Sequence, residues 1–290
     1  MKKLIVITGP TGSGKTGLSI KLAKELGNVE IISADSRQIY KKMNIGTDKL
    51  TDTQGIPHHL LDLIDPDETF TVAQFKEKAR KKIKEIQNRN NLPILCGGTY
   101  FYIKAVVDGL ILPQVAPDWE FRKKKNKKKA EELFEELKEK DPRRAKNIDK
   151  HNKRRLVRAL EIIEKTGNPV PKLKKDPLEF PILMLGVKRS KKKLEERIEN
   201  RVDEMIEEGL EKEAKEILEN YRKKALETIG YAEWDKFFEG SKSKSEVIED
   251  IKTHTKQFSK KQKNWFKKED RIKWVKNFEE TKRKVDEFIK

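Results

Sequence analysis

Short apolar runs alternate with amphipathic stretches along this chain, a pattern typical of α/β proteins. The clearest strand candidates are residues 4–8, 29–32, 93–96 and 182–187. Apolar residues at helical spacing follow the first run, and Gly27 is predicted to end that helix. Thr71 and Gln74 form a capping-box pattern before another amphipathic stretch. We therefore predict an open α/β sheet.

The first strand leads into a stretch that reads G-x-x-x-x-G-K-T. Its members are Gly9, Pro10, Thr11, Gly12, Ser13, Gly14, Lys15 and Thr16. Glycines at this spacing let backbone N–H groups curl around an anion, the next helix points its positive N-terminus at it, and Lys15 adds a mobile charge. Thr16 can hold Mg²⁺ against the same anion. The stretch predicts a phosphate or diphosphate site with Mg²⁺ as cofactor; the alternative is a glycine-rich turn with a solvated lysine.

Two further polar residues follow later strand candidates. Asp35 comes after the second strand, and Thr99 follows Gly97-Gly98 after the strand at 93–96. Because the carboxyl ends of parallel strands line the ligand crevice, both residues should lie on one rim with Lys15. Thr99 by itself would be an ordinary helix N-cap. The three strand ends together favour a site.

The composition changes after Pro113. Seven of the eight residues at 122–129 are basic, helical patterns follow, and a proline-rich stretch ends at 181. We predict a P-loop NTPase-like parallel-sheet core, residues 1–115 and 180–290, with an all-helical insertion domain at 116–179. Positive charge at a helix start opposes the helix dipole, so the basic cluster either contacts phosphate or is a solvated charge run.

Two later helices carry candidate cations. Arg201 falls at the edge of an apolar stripe, where it needs an anion, either a nearby carboxylate or a ligand on the P-loop. In a long helix predicted at 245–268, Phe258 and Trp265 are expected to face the core with Ile248 and Ile251. The opposite side would carry Lys252, Lys256, Lys260, Lys263 and Lys267. That ridge can follow a nucleic-acid backbone or be a solvated face.

Charge and cysteine content indicate which kind of partner and which compartment the sequence favours. The formal net charge is +18 and 40 % of residues are charged, which favours a polyanionic partner, although heat-adapted proteins also enrich Lys and Glu together. Cys96 is the single cysteine, which fits a reducing cytosol. The adjacent His58 and His59 are not expected to bind a metal. No apolar segment approaches membrane-spanning length, so a cytoplasmic protein without a membrane partner is expected.

Several motifs, in order along nearly the whole chain, resemble those of the tRNA dimethylallyltransferase family. They lie at residues 9–16, 32–40, 44–47, 57–59, 97–100, 141–142, 158–161, 209–210, 229–231, 256–262 and 265–266. Residues 148–152 depart from the family's usual pattern. The resemblance implies transfer of a dimethylallyl group from dimethylallyl diphosphate to N6 of the adenosine 3′-adjacent to the tRNA anticodon, giving N6-isopentenyladenosine.

The resemblance also implies residue roles. Asp35 would accept the N6 proton, Thr99 would bond the bridging oxygen of the donor, and Arg201 and the P-loop would stabilise the departing diphosphate. The tRNA contacts implied are Asp35, Ser36, Arg37, Gln38, Thr99, Arg122, Arg154, Arg155, Leu156, Val157, Arg158, Gly230, Tyr231, Lys256, Gln257, Lys260, Lys261 and Lys263. The partners would be the tRNA anticodon stem-loop and dimethylallyl diphosphate, and a monomer is expected.

Two other classes fit part of the sequence. A small-molecule kinase also places an acid after the second strand of a P-loop fold, but it leaves the basic ridge and the basic insertion unexplained. A non-catalytic RNA-binding module would explain the charge but not the convergence of Lys15, Asp35 and Thr99.

Overall fold

The structure is a computed structural model that describes residues 2–290. It divides into two compact units, one formed by the chain up to Gly109 together with Pro177–Lys290, the other by Leu110–Asp176. Within residues 2–290 the strands are β1 Leu4–Thr8, β2 Val29–Ser33, β3 His58–His59, β4 Leu92–Gly97, β5 Leu110–Ile111, β6 Lys174–Lys175, β7 Ile182–Val187 and β8 Ile272–Val275.

The long helix predicted at 245–268 is present among the helices of the described chain, from Lys244 to Phe266. These helices are α1 Lys15–Leu26, α2 Val72–Asn88, α3 Tyr100–Val107, α4 Trp119–Lys125, α5 Ala130–Lys140, α6 Pro142–Ala145, α7 Lys153–Thr166, α8 Lys191–Glu207, α9 Leu210–Leu226, α10 Asp235–Phe238, α11 Lys244–Phe266 and α12 Phe278–Ile289. The predicted capping box at Thr71 and Gln74 is confirmed, and Gly27 follows the end of α1.

The larger unit is built on a six-stranded sheet in the order β3-β2-β4-β1-β7-β8, in which every pairing is parallel. Alternate residues of β1 pack in the two hydrophobic cores on opposite faces of the sheet. Leu4 and Val6 pack with α2 and α3, whereas Ile5 and Ile7 pack with α1 and α12. The sheet is therefore covered on both faces, which explains why its strands are continuous apolar runs.

A third core in the same unit lies among α8, α9 and α11. Trp234 and Tyr231 are fully buried there, with Val202 of α8 and Ile251 of α11 against them. The predicted inward face of α8, which includes Leu194 and Ile198, is confirmed. This core fixes α8 and α11 as neighbours.

The smaller unit, Leu110–Asp176, is helical as predicted, with one addition. Its first and last residues form a short antiparallel pair, β5 with β6. This pairing includes residues 110–111 and 174–175. The compact unit therefore begins before residue 116 and ends before residue 179, the two boundaries that were expected. The core of the unit contains Leu133, Leu137 and Leu160.

Candidate active site

The P-loop lies between β1 and α1, at the carboxyl end of a central strand. Gly12 and Gly14 have φ values of +81° and +84°, which L side chains rarely adopt, so the loop requires glycine at both positions. Lys15 begins α1 and is half-buried. The hydroxyl of Ser13 is buried without a hydrogen-bond partner in the described structure. Such an unpaired donor, with the helix N-terminus, fits the predicted anion.

The loops after β2 and β4 are joined directly at the same edge of the sheet. The Ser36 N–H donates to Thr99 Oγ1 at 3.0 Å, and the Thr99 N–H donates to Ala34 O at 3.2 Å. A Cβ added to Gly97 would lie 2.2 Å from Ala34 O. Thr99 precedes α3, but its side chain makes no capping bond. The hydroxyl is thus used between the two loops, and the ordinary N-cap alternative is not what the structure shows.

Asp35 lies on this rim, half-buried. Its Oδ1 accepts the Arg37 N–H at 2.8 Å, an Asx turn that fixes one carboxylate oxygen. Beneath the rim, burial raises the pKa of the Cys96 thiol; the Lys15 charge opposes this rise and the Asp35 charge adds to it. Cys96 Sγ lies 3.8 Å from Lys15 O, and Cys96 pairs with Ser33, two residues before Asp35, so Lys15 and Asp35 lie near the same strand end.

The predicted magnesium ligand can be tested by its chemistry. Thr16 is exposed at the start of α1, and the described residues contain no group of three or more His, Cys, Asp or Glu side chains suited to a metal. Magnesium commonly keeps several waters and binds through few protein oxygens together with substrate phosphates. The donor set fits an ion that arrives with a diphosphate. His59 instead contacts Glu30 at 2.6 Å.

Helix α8 brings two arginines to this region. Arg201 Nη1 lies 3.2 Å from Asp48 Oδ2, so a carboxylate partner is present. Asp48 is 57 % exposed, which leaves it exchangeable for another anion. Arg197, one turn earlier, donates from Nε to Gly12 O at 2.8 Å. Sequence reasoning missed Arg197, although its spacing of four from Arg201 puts both on one edge of the helix.

The outer face of α11 differs from the expectation. Phe258 and Trp265 are 40 % and 44 % exposed and do not face the core as predicted. They lie at the border of the apolar stripe, where residue spacing alone does not decide burial. Lys252 and Lys256 are paired with Asp203 (2.8 Å) and Glu199 (2.6 Å) of α8. The exposed candidates for RNA contact are Gln257, Lys260 and Lys261, and Lys263 is half-buried.

Gly230 and Tyr231, both predicted tRNA contacts, are buried in this structure. The Tyr231 hydroxyl donates to Glu213 Oε1 at 2.7 Å, and burial together with this carboxylate raises the Tyr231 pKa. A Cβ added to Gly46 would lie 2.6 Å from the Tyr231 ring. Glu213 also accepts N–H bonds from residues 44–46. This pair therefore holds the loop that carries Asp48.

Other predicted contacts in the larger unit have internal partners. Arg37 donates from Nη2 to Glu227 O at 2.8 Å. Gln38 donates from Nε2 to Asp48 O at 2.8 Å. Gln38 Nε2 also donates to Thr47 O at 3.3 Å, so both of its N–H groups have backbone partners. Both side chains are partly exposed.

The smaller unit contains a buried ionic cluster. Arg122 donates from Nε and Nη2 to the two oxygens of Glu161, at 2.7 and 2.8 Å, and Arg158 donates from Nη1 at 2.5 Å. Burial would raise the pKa of Glu161, but the bonds from Arg122, the Asp118 N–H and Arg158 outweigh it and hold the pKa below its usual value. Arg122 and Arg158 are therefore structural partners of a fully buried carboxylate.

Helix α7 separates the other predicted contacts by face. Leu156 and Val157, also predicted tRNA contacts, are buried in the core of the smaller unit. Arg154 and Arg155 are exposed. The helix is amphipathic, so a run of consecutive residues cannot all face one ligand.

Comparison with known proteins identifies the family. A family model described as IPP transferase matches residues 38–269. The chain belongs to the IPP transferase family. A tRNA dimethylallyltransferase from Thermoanaerobacter sp. (strain X514) is 39 % identical over 99 % of this chain and 97 % of that protein. Another, from Acetivibrio thermocellus, is 41 % identical over 95 % and 92 %. These alignments span nearly the whole chain.

Solved structures of IPP transferase relatives agree with the fold. The full-length tRNA isopentenylpyrophosphate transferase of Bacillus halodurans has a TM-score of 0.73 and 36 % identity, covering 100 % of this chain and 96 % of that one. A eukaryotic dimethylallyltransferase described as acting on tRNA has a TM-score of 0.79 and 28 % identity, covering 95 % and 74 %. The predicted parallel-sheet core is confirmed. Among the described residues, no helix is both long and apolar enough to cross a bilayer.

Proposed function

We propose that this protein transfers the dimethylallyl group of dimethylallyl diphosphate to N6 of the adenosine 3′-adjacent to the anticodon in tRNA. The products are N6-isopentenyladenosine and diphosphate. The observation that carries the proposal is the meeting of the P-loop, Asp35 and Thr99 at one edge of the sheet, in a member of the IPP transferase family. Each chain would act by itself.

In this reaction the N6 lone pair forms a bond to the allylic carbon, and the bond from that carbon to the diphosphate oxygen breaks with its electron pair leaving on the diphosphate. The adenine amine is a weak nucleophile because its lone pair is delocalised into the ring. Asp35 accepts the N6 proton as the new bond forms. Its other oxygen is held by the Arg37 N–H, which keeps the carboxylate oriented.

The leaving group is stabilised by fixed positive charge. The P-loop N–H groups, Lys15 and Arg201 face the developing charge on the diphosphate, with Arg201 exchanging Asp48 for the ligand. Thr99 Oγ1 accepts the Ser36 N–H at 3.0 Å and donates to Ser36 Oγ over a long 3.4 Å. When the donor binds, the Thr99 hydroxyl would turn this proton to the bridging oxygen. A magnesium ion bound with the diphosphate near Thr16 would neutralise part of the same charge.

The RNA reaches the site through contacts with phosphates and a displaced base. The adenosine must leave the anticodon-loop stack before its N6 can approach Asp35. Exposed lysines of α11 and exposed arginines of α7, such as Lys260, Lys261 and Arg155, supply phosphate contacts. RNA affinity should therefore fall steeply with salt.

The test is incubation of the purified protein with unmodified tRNA, Mg²⁺ and dimethylallyl diphosphate, without ATP, followed by nucleoside mass spectrometry. We expect a mass gain of one isopentenyl group on the adenosine beside the anticodon. Absence of that product, with phosphate transfer or release once ATP is added, would replace this proposal with a P-loop small-molecule kinase.

A further inference from the structure

Polar contacts join helix α11 to the two loops that carry the P-loop and Thr99. The Thr11 N–H donates to Gln262 Oε1 at 2.8 Å, and Gln262 Nε2 donates to Gly98 O at 3.0 Å. Ser259, one turn earlier, donates its hydroxyl to Thr11 O at 3.0 Å. Gln262 and Ser259 are 2 % and 3 % exposed. These two side chains are thus shielded from water. Loss of one of their hydrogen bonds would leave the backbone group that it serves without a partner.

The chemistry of this bridge requires a carboxamide and a glycine. A carboxamide offers an acceptor and a donor on one group, so Gln262 can serve an N–H of one loop and a carbonyl of the other. A carboxylate could accept from Thr11 but would place an acceptor against the Gly98 carbonyl. A Cβ added to Gly98 would lie 2.6 Å from Gln262 Nε2, so glycine lets the side chain approach.

The solvent-exposed face of the same α11 turn carries two lysines. Residues three apart share a helix face, which places Ser259 and Gln262 inward, while Lys260 and Lys261 between them are exposed. A ligand that holds the exposed lysines therefore also holds the turn that bonds to Thr11. The backbone of Thr11 belongs to the P-loop, and Gly98 directly precedes Thr99.

We propose that Gln262 is a positioning residue that sets the P-loop relative to Thr99 and couples RNA binding on α11 to diphosphate binding in the P-loop. RNA on the outer face restricts the turn, which restricts the Thr11 backbone and lowers the ordering cost of binding diphosphate. By linkage, diphosphate raises RNA affinity by the same factor. The inference rests on the proposed function for the identity of the RNA only.

The test compares Gln262→Met with a matched control, Gln87→Met. Gln87 of α2 also donates from Nε2 to a distant backbone carbonyl, that of Lys3 at 3.0 Å, but at the amino end of β1. For each protein, calorimetry measures the affinity for inorganic diphosphate with Mg²⁺, with and without a tRNA anticodon stem-loop. Steady-state kinetics then give kcat, and a filter-binding assay gives the affinity for the stem-loop without diphosphate.

We expect the stem-loop to increase diphosphate affinity in the wild type and in Q87M, and to have no effect on it in Q262M. Loss of two hydrogen bonds at the site should lower kcat of Q262M about tenfold, while its affinity for the stem-loop without diphosphate stays within about twofold of the wild type. A merely structural glutamine would lower thermal stability in both variants and leave these readouts alike.

The inference is overturned if Q262M keeps the RNA-dependent gain, if the wild type lacks it, or if kcat falls equally in both variants. Its failure is separable from failure of the proposed function. Diphosphate binding needs no turnover, so a wild type that shows the coupling but transfers no prenyl group refutes only the function.

A second approach applies if Q262M does not fold. Ser259→Ala removes one bond to Thr11 and should reduce the RNA-dependent gain in part. Hydrogen exchange in the wild type follows the Thr11 N–H directly. Slow exchange that slows further with the stem-loop supports the coupling, and exchange at the rate of an exposed loop with or without RNA contradicts it.

Discussion

Arg122 lies in a basic stretch expected to contact tRNA, yet its guanidinium is bonded to a fully buried carboxylate, and these two roles predict different outcomes for Arg122→Met. The substitution removes two charge-assisted bonds to Glu161, each worth about 1.5–3 kcal/mol. Arg158 and the Asp118 N–H still hold the carboxylate. The lower end therefore applies, and we expect a loss of about 3 kcal/mol of unfolding free energy. The Arg122 guanidinium also lies over the Trp119 ring, with Cζ 5.1 Å from the ring centroid, so methionine removes this cation–π contact as well.

The assay pairs urea unfolding with the salt dependence of RNA binding. Arg155→Met is the matched control, because Arg155 is exposed on α7 and should change stability by no more than about 0.5 kcal/mol. A phosphate contact made by Arg155 would lower the slope of log affinity against log salt by about 0.7–0.9. Arg122→Met should leave that slope unchanged in the folded protein. A stable Arg122→Met protein with a reduced slope would refute the structural role.

Three further predictions address the rim and the sheet. Asp35→Asn should lower kcat by about 10²–10⁴-fold, as expected for loss of a general base, while a filter-binding assay finds tRNA affinity within about twofold; normal turnover would contradict the assigned role. Gly97→Ala should cost about 3 kcal/mol or more in urea unfolding, because its Cβ meets Ala34 O, whereas Gly17→Ala, with open space around it, should not destabilise. Burial would raise the pKa of Glu30, but bonds from Asn91, His59 and Arg89 hold it at about 2, below the ordinary value of 4.5. The stability that this carboxylate contributes is complete above its pKa in the unfolded chain, 4.5, and is lost as the pH falls towards its pKa in the folded protein, about 2. The stability difference between wild type and Glu30→Gln should therefore shrink by about 1.4 kcal/mol between pH 7 and 3.5, and a constant difference would refute it.

The sequence allowed prediction where a local pattern has one physical solution. The P-loop lies between a strand and a helix, the Thr71 capping box forms, and the inward face of α8 is buried as predicted. In each case the spacing of a few neighbouring residues determines the structure.

Prediction failed where the outcome depends on residues distant in the chain. Spacing placed Phe258 on the core face of α11, but it lies at the border, where the neighbouring elements leave it exposed. Tyr231 is buried in a hydrophobic core, and its hydroxyl donates to Glu213, 18 residues earlier. The partner of Arg122 is 39 residues away. The spacing of apolar residues in the sequence does not reveal contacts between residues so far apart.

The contact between Gly97 and Ala34 limits how this edge of the sheet can diverge among descendants of the protein. With 2.2 Å between the position of a Cβ and a carbonyl oxygen, no side chain enters there unless the neighbouring loop has already moved. Two changes would be needed at once, and each alone would be selected against. A lineage that acquires a preference for a different prenyl donor is therefore expected to change side chains along this edge of the sheet. The path of the backbone there should remain the same.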